Sequence, residues 1–189
     1  MKLAKWPSTT EILRHFGLMA DLEGFSNGAA MRRGILVTAA CHLIGMNQDL
    51  GDGWEGRHPE CHGYLDAYRK FKRDHELKVV EVEHEYRNEI YRYVSHPDQI
   101  VLLDNYKGEV DLELKSGSMP RWCQLQTAGQ VLAIGNPRMK RFALLLREDG
   151  TFKLYPHDDW RDLDRFISLI DAYWIWQEFR PRLDEGAIP

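Results

Sequence analysis

The spacing of apolar residues changes from a helical period to a strand-like period near residue 78. Before that point, apolar positions recur at intervals of three and four residues, which predicts three helices. From Lys78 the period becomes two, because Val80 and Val82 alternate with Glu81 and Glu83, and this alternation predicts a strand with one solvated face. The two periods together indicate an α/β or α+β protein.

A capping box predicts the start of the first helix, and an amphipathic pattern predicts the third. Ser8 and Glu11 form a capping-box pattern, and the helix that follows is expected to run to about Asp21. The segment 48–58 is rich in glycine and aspartate and predicts a loop. After it, residues 60–76 place apolar side chains on one face and charges elsewhere, as an amphipathic helix requires.

The second helix is more apolar than the other two. Asn27 is its predicted N-cap. A buried side of this helix is expected to carry Met31, Gly34, Ile35, Thr38, His42 and Gly45.

The pattern in the second half of the chain predicts five strands, with one helix between the third and fourth strands and another after the fifth. Strands are expected at 90–94, 99–103, 109–115, 142–147 and 151–155, the last two joined by an Asp149-Gly150 turn. Helices are expected from Pro120 to Ile134 and from Trp160 to Phe179. We therefore predict one domain, 1–189, with a central mixed β-sheet flanked by helices. Its parts are a helical segment 8–76, a core 78–156 and a C-terminal helix 160–180.

Composition narrows the class of protein. The chain has 189 residues, 43% hydrophobic and 29% charged, and no apolar stretch long enough to cross a bilayer. Its three cysteines are widely spaced, and the polar N-terminus does not match a signal peptide, so we expect reduced thiols in a cytoplasmic protein. The net charge of -4 weighs against nucleic-acid binding unless basic residues cluster locally. Candidate clusters are Arg32-Arg33, Arg69-Lys70-Lys72-Arg73 and Arg138-Lys140-Arg141.

Candidate chemistry lies on the strand 109–115. Asp111, Glu113 and Lys115 alternate with apolar residues and therefore point to one face. Desolvated carboxylates on one face repel each other unless a proton or a cation intervenes. Oxygen ligands suit Mg²⁺ or Mn²⁺ rather than Zn²⁺. The alternative is an exposed strand on which Glu113 and Lys115 pair across solvent.

Residues 95–130 resemble the PD-(D/E)XK nuclease superfamily, in particular its RecB-like and bacteriophage exonuclease branch. Pro97-Asp98 matches the first motif, Glu113-Leu114-Lys115-Ser116-Gly117 the second, and Gln126 the glutamine of the third. Arg33 to Val37 also matches most of an N-terminal helical motif of that family. The likeness extends loosely over residues 30–170.

The resemblance implies a restriction-endonuclease-like core and a metal-dependent DNA nuclease, acting as an exonuclease in recombination or repair. Asp98, Glu113 and the backbone carbonyl of Leu114 would then be ligands of Mg²⁺ or Mn²⁺. Lys115 would be the catalytic lysine, and Gln126 would line the site. The implied partners are DNA and a single-strand annealing or recombination protein, without a membrane, and the chain could form a homo-oligomer.

Three positions depart from the family pattern. Ser95 replaces a glycine, Gln130 replaces the tyrosine of the third motif, and Thr38 replaces a histidine that ligates metal in many relatives. His42, one turn after Thr38, is either a core histidine or a group that reaches the site. A weakened or inactive nuclease fold that binds DNA or protein therefore stays open as an alternative. An assembly protein that uses its aromatic C-terminal helix is a third hypothesis.

Overall fold

Helices precede and follow a β-sheet in the computed structural model, which describes residues 5–19 and 28–180. The helices are α1 (Thr9–His15), α2 (Gly28–Gly45), α3 (Trp54–Arg57), α4 (His62–Asp74), α5 (Cys123–Ile134) and α6 (Arg161–Phe179). The strands are β1 (Lys78–Val82), β2 (Tyr86–Asn88), β3 (Tyr93–Ser95), β4 (Gln99–Leu102), β5 (Val110–Ser116), β6 (Lys140–Leu146) and β7 (Phe152–Pro156). None of the described helices combines the length and apolar character needed to cross a membrane.

A mixed five-stranded sheet forms the centre of the fold, in the order β1-β4-β5-β6-β7. β5 and β6 are parallel, and the helical crossover that parallel neighbours need is α5. The other neighbours are antiparallel. Gln99 of β4 lies opposite Leu112 of β5, so the preceding residue, Asp98, lies beside Glu113. The predicted central mixed sheet flanked by helices is confirmed.

Helices cover both faces of this sheet. On one face, Val110 and Leu112 of β5 belong to an apolar core that includes Cys41 of α2 and Phe71 of α4. On the opposite face, α5 packs over the sheet and in turn contacts α1 and α6. The apolar side of β5 therefore faces the first core, and its charged side lies beneath α5.

The first helix begins as predicted and ends early. The Glu11 backbone N–H donates to Ser8 Oγ at 3.1 Å, and the Ser8 N–H donates to the Glu11 carboxylate at 2.6 Å, which confirms the capping box. The helix ends at His15 because Gly17 adopts a left-handed φ of 70°. The predicted end at Asp21 and the predicted N-cap Asn27 lie outside the described residues.

The prediction of the buried side of α2 is wrong for the first half of that helix. Met31 and Ile35 are 63% and 59% exposed. Gly34 lies beside Ser116, the last residue of β5, so the turns before it extend past the end of this strand. The buried residues of α2 are Val37, Ala40, Cys41, His42 and Gly45.

The strand predicted at 90–94 is also wrong in its position. The observed strands β2 and β3 pair with each other in a separate two-stranded sheet. Residues 89–92 form the turn between them, where Ile90 is 84% exposed and Arg92 has a φ of 53°. The apolar residues of a turn such as this one can be exposed. The sequence pattern of residues 90–94 therefore does not distinguish a turn from a strand.

Candidate functional site

Asp98 lies just before β4, where β5 continues past the end of its neighbour. Its Oδ2 accepts a hydrogen bond of 2.7 Å from the backbone N–H of Leu114. Because the N–H and C=O of one residue point to the same side of a strand, the Leu114 carbonyl also lies on the Asp98 side of β5. Within residues 5–19 and 28–180, no donor hydrogen-bonds to Asp98 Oδ1.

Glu113 is held by three donors beneath α5. Its Oε1 accepts from Lys115 Nζ at 2.5 Å and from Gln126 Nε2 at 2.7 Å. Its Oε2 accepts from Gln130 Nε2 at 2.7 Å. Only 2% of Glu113 is exposed, so this carboxylate is fixed in an interior position. The structure thus brings together the four residues predicted for the site, Asp98, Glu113, Lys115 and Gln126, and adds Gln130.

The position of α5 explains why two glutamines reach the same carboxylate. Gln126 and Gln130 are one helical turn apart and share a face of the helix. The family pattern assigned Gln130 no site role, because this residue stands where a tyrosine is usual. Glu113 is the partner that they share.

Lys115 is set between acceptors and an aromatic ring. Its Nζ also donates to Gln126 Oε1 at 3.2 Å and lies 5.1 Å from the centre of the Trp122 ring. Burial would lower the pKa of the Lys115 ammonium, but Glu113 and other neighbouring groups outweigh it and raise the pKa. The Lys115 ammonium is therefore expected to stay protonated at neutral pH in this arrangement.

Asp111 is a further carboxylate on this face of β5. It is fully buried, and neither of its oxygens has a hydrogen-bond partner in the described part of the chain. Its neighbour across the strands is Arg141, which donates instead to the backbone oxygens of Gln124 at 3.0 Å and Asp159 at 3.1 Å. Burial, and then Glu113 and Asp98, raise the pKa of Asp111 well above its usual range.

Asp98 shares this electrostatic environment. Burial and the adjacent Glu113 raise the pKa of the Asp98 carboxyl, although Lys115 and the Leu114 N–H oppose the shift. The period-two pattern placed Asp111 on this face but assigned it no role. Three carboxyl groups therefore share this region with a single lysine.

His42 lies on α2 at the border of the site. It is 8% exposed, its Nε2 is buried without a partner among the described residues, and its Nδ1 is 3.8 Å from Glu83 Oε1. Burial lowers its pKa, and Glu83 and Glu113 oppose this shift. His42 is thus buried, as a core histidine would be, but its ring is not fully hydrogen-bonded. Thr38, one turn earlier, is partly buried.

Glu83 is a neighbour that the sequence pattern did not identify. Its backbone N–H donates to the Asp98 carbonyl at 3.3 Å, and its φ of 46° ends β1 in a left-handed turn. The strand pattern that predicted Glu83 as an ordinary exposed position carries no sign of this turn. Glu83 also contributes to the raised pKa of Asp98.

The side-chain donor atoms of Asp98 and Glu113 are oxygens, the ligand type that hard cations prefer. No group of three or more His, Cys, Asp or Glu side chains in residues 5–19 and 28–180 is arranged to hold a metal. The available ligands are Asp98 Oδ1, the free lone pair of Glu113 Oε2 and the Leu114 carbonyl. Such a set suits Mg²⁺ or Mn²⁺. Both oxygens of Asp111 are buried without a hydrogen-bond partner in the described residues, and a nearby cation would favour the ionised form of this group.

In two of the three basic clusters, some side chains pair with other groups of the protein. Arg69 pairs with Glu55 and with Asp66. Lys72 donates to the carbonyls at the C-terminus of α2. Arg141 is 5% exposed and lies 3.5 Å from Asp162. Arg32 and Arg33, in contrast, lie on the part of α2 that adjoins the end of β5.

Comparisons with known proteins assign the chain to no family. No protein-family model matches the chain, and no curated protein matches it by sequence. Fifteen chains of solved structures match it by fold. One of them is the crystal structure of SSO0001, with 13% sequence identity, a TM-score of 0.44, and an alignment that covers 94% of this chain and 79% of that chain. Similarity of this degree carries no functional argument.

Proposed function

We propose that this chain is a Mg²⁺- or Mn²⁺-dependent deoxyribonuclease that hydrolyses phosphodiester bonds, acting as an exonuclease in DNA recombination or repair. The observation that carries the proposal is the convergence of Asp98, Glu113, Lys115 and Gln126 beneath α5. These are the positions at which the sequence resembles PD-(D/E)XK nucleases.

Each residue has a role that its contacts support. Asp98, Glu113 and the Leu114 carbonyl would hold the divalent ion. The bound ion would supply Lewis-acid chemistry at the scissile phosphate. Lys115, kept protonated by Glu113, would place positive charge where negative charge develops on the phosphate. Gln126 connects Lys115 to Glu113 and fixes the direction of both side chains.

DNA is the proposed substrate, and the Arg32-Arg33 pair supports this choice. Arg32 is exposed, and the Arg33 guanidinium lies 5.3 Å from the centre of the Tyr64 ring. Both precede Gly34, which adjoins the end of β5 that carries Lys115. We assign a single-strand annealing or recombination protein as the partner on the family resemblance alone. The three buried free cysteines fit a reducing compartment such as the cytoplasm.

A second candidate function is a binding module that retains the nuclease fold without turnover. Two observations favour it. Thr38 stands where relatives have a metal-ligating histidine, and three of the lone pairs of Glu113 are already occupied by donors. The module would bind DNA or a protein and degrade neither.

A comparison of DNA degradation by the wild-type protein and by Lys115→Ala distinguishes the enzyme from the binding module. The wild-type protein should degrade linear DNA in Mg²⁺ and lose this activity in EDTA. Lys115→Ala should reduce the rate by about 100- to 1000-fold, because it removes a charge that acts on the transition state. Circular dichroism should show intact folding, since Gln126 and Gln130 still hold Glu113.

The matched control is Lys140→Ala, which removes an exposed lysine at the start of β6 that pairs with Asp158. Its activity should stay within about twofold of the wild type. Comparison of linear with covalently closed circular DNA reports whether an end is required. DNA binding without degradation by the wild-type protein would refute the enzyme and support the module.

A further inference from the structure

An exposed groove of about 330 Å³ lies between the C-terminal half of α6 and the turn that joins β2 to β3. Apolar side chains of both elements line it, Ile90 of the turn and Trp174 and Ile175 of α6. Ile90 is 84% exposed and Ile175 is 59% exposed. Phe179, one helical turn after Ile175 and 75% exposed, extends this apolar surface. Side chains this exposed add little to the stability of the single chain, whereas their burial in a complex would be favourable.

Hydrogen bonds hold both walls of the groove in place. Trp174 Nε1 donates to the Tyr91 carbonyl at 2.9 Å, which connects α6 to the turn. Within the turn, the Tyr91 N–H donates to Asn88 Oδ1 at 2.9 Å, and Asn88 Nδ2 donates to the Leu132 carbonyl of α5 at 2.9 Å. The turn that carries the exposed isoleucine is therefore fixed before any partner binds, which lowers the entropic cost of association.

Charged side chains of both signs also line the groove. They are Arg92, Asp171 and Glu178. The Arg92 guanidinium lies 4.7 Å from the centre of the Trp174 ring, and a guanidinium stacked through its face keeps the N–H groups at its edge available for a carboxylate. Within residues 5–19 and 28–180, the side chains of these three charged residues form no ion pair and no hydrogen bond. The groove thus offers one guanidinium and two carboxylates that are open to a partner.

The balance of charge indicates which class of molecule fits the groove. Two carboxylates against one guanidinium give its lining a net negative charge, which repels the phosphates of nucleic acids and of anionic lipids. A protein surface that combines apolar side chains with both signs of charge is complementary to it. The groove itself is such a surface. In a two-fold contact the same patch of each copy faces the other, and this brings opposite charges together.

We infer that two copies of this chain associate through the groove as a symmetric dimer. The exposed isoleucines of each copy are buried in the contact, and Arg92 of each copy pairs with the carboxylates of the other, Asp171 and Glu178. This inference does not depend on the proposed function, because the candidate site beneath α5 contains none of these residues.

The mass of the purified chain in solution tests the inference. Sedimentation velocity from about 1 to 200 µM covers the micromolar affinities that small interfaces reach. The wild type should change from the monomer mass of 22.1 kDa to twice that mass as the concentration rises. Ile175→Asp should raise the dissociation constant at least about tenfold, because a charge would have to be buried in the contact. Ile90→Asp is a second variant with the same expected effect.

The matched control is Met31→Asp, which places the same charge at a position of α2 that is 63% exposed and lies outside the groove. It should sediment as the wild type does. Circular dichroism and thermal melts of dilute samples show whether each variant is folded.

Charge reversal distinguishes a symmetric dimer from any other contact. Arg92→Glu alone should not dimerise, because the new carboxylate faces Asp171 and Glu178 of the second copy. The double variant Asp171→Lys, Glu178→Lys should not dimerise either, because its lysines face Arg92. An equimolar mixture of the two proteins should dimerise with an affinity within about tenfold of the wild type, because opposite charges then face each other across the contact.

Three results would overturn the inference. A wild-type chain that keeps the monomer mass at every concentration leaves the groove to a different partner. A dimer that persists in folded Ile175→Asp and Ile90→Asp uses another surface. Two charge-reversed proteins that stay monomeric when mixed exclude the proposed pairing of Arg92 with the carboxylates of a second copy.

Discussion

The burial of Asp111 is expected to lower the free energy of unfolding of the protein. A fully buried carboxylate without a donor is expensive, because water no longer solvates its charge and no hydrogen bond replaces that solvation. Arg141, which could have neutralised it, is turned toward α5 and α6. A bound cation, as the proposed function requires, would reduce this penalty.

The replacement Asp111→Asn tests this penalty. In EDTA at pH 8 the variant should be more stable than the wild type by about 1–3 kcal/mol, because the amide removes a buried group that carries or must avoid a charge. Urea unfolding followed by circular dichroism measures the difference. Gln124→Asn, at an exposed position of α5, should change stability by less than about 0.5 kcal/mol. A loss of stability in Asp111→Asn would show that the carboxylate has a stabilising partner.

Single elements were predictable where their signal is local. The capping box of α1, the Asp149-Gly150 turn between β6 and β7, and the alternation along β5 each follow from a few adjacent residues. The turn at 89–92 and the exposed first half of α2 were not predictable, since both depend on where the sheet ends. The candidate site was predicted from the family resemblance of residues 95–130, in which Glu113 and Lys115 are close in sequence. Glu83 reaches it through a turn with no local signal.

The contact between α4 and the β6–β7 turn tests packing between elements. A Cβ added to Gly63 would lie 1.6 Å from the backbone oxygen of Glu148, which cannot move without distorting the turn. Gly63→Ala should therefore destabilise the protein by about 3 kcal/mol or more. Gly56→Ala, in α3 with nothing within 4 Å of the added Cβ, should be neutral or stabilising by up to about 1 kcal/mol. Thermal melts of the two variants compare them directly, and equal melting temperatures would refute the contact.

Across the whole molecule, a buried polar network connects the site to the C-terminal helix. Arg141 of β6 donates to the Gln124 carbonyl of α5 and lies 3.5 Å from Asp162 of α6. Thr127 of α5 shares a hydrogen bond of 2.9 Å with His157. The network fixes the helix whose glutamines hold Glu113. No sequence pattern pairs residues so far apart, which is why this support for the site could not be predicted from the sequence.

The same network makes the stability of the molecule depend on pH. Burial, and then the charge of Arg141, lower the pKa of His157 to about 4, and Asp162 only partly opposes this. An unfolded histidine has a pKa of about 6.5. Between pH 6.5 and 4 the unfolded chain therefore binds the proton more strongly, and the free energy of unfolding falls as the pH falls. The slope from one such histidine approaches about 1.4 kcal/mol per pH unit.

Urea unfolding at pH 7, 5.5 and 4.5 measures this slope, and His157→Gln is the variant that isolates it, because glutamine can accept or donate a hydrogen bond at Thr127 without titrating. The variant should lose less stability over this range than the wild type, by about 2 kcal/mol in total.

Some slope should persist, since burial also lowers the pKa of His42. The raised pKa values of Asp98 and Asp111 act in the opposite direction, because the folded state then loses stability as the pH rises. Identical slopes in wild type and His157→Gln would mean that this histidine is already charged in the folded protein, which its burial beside Arg141 argues against.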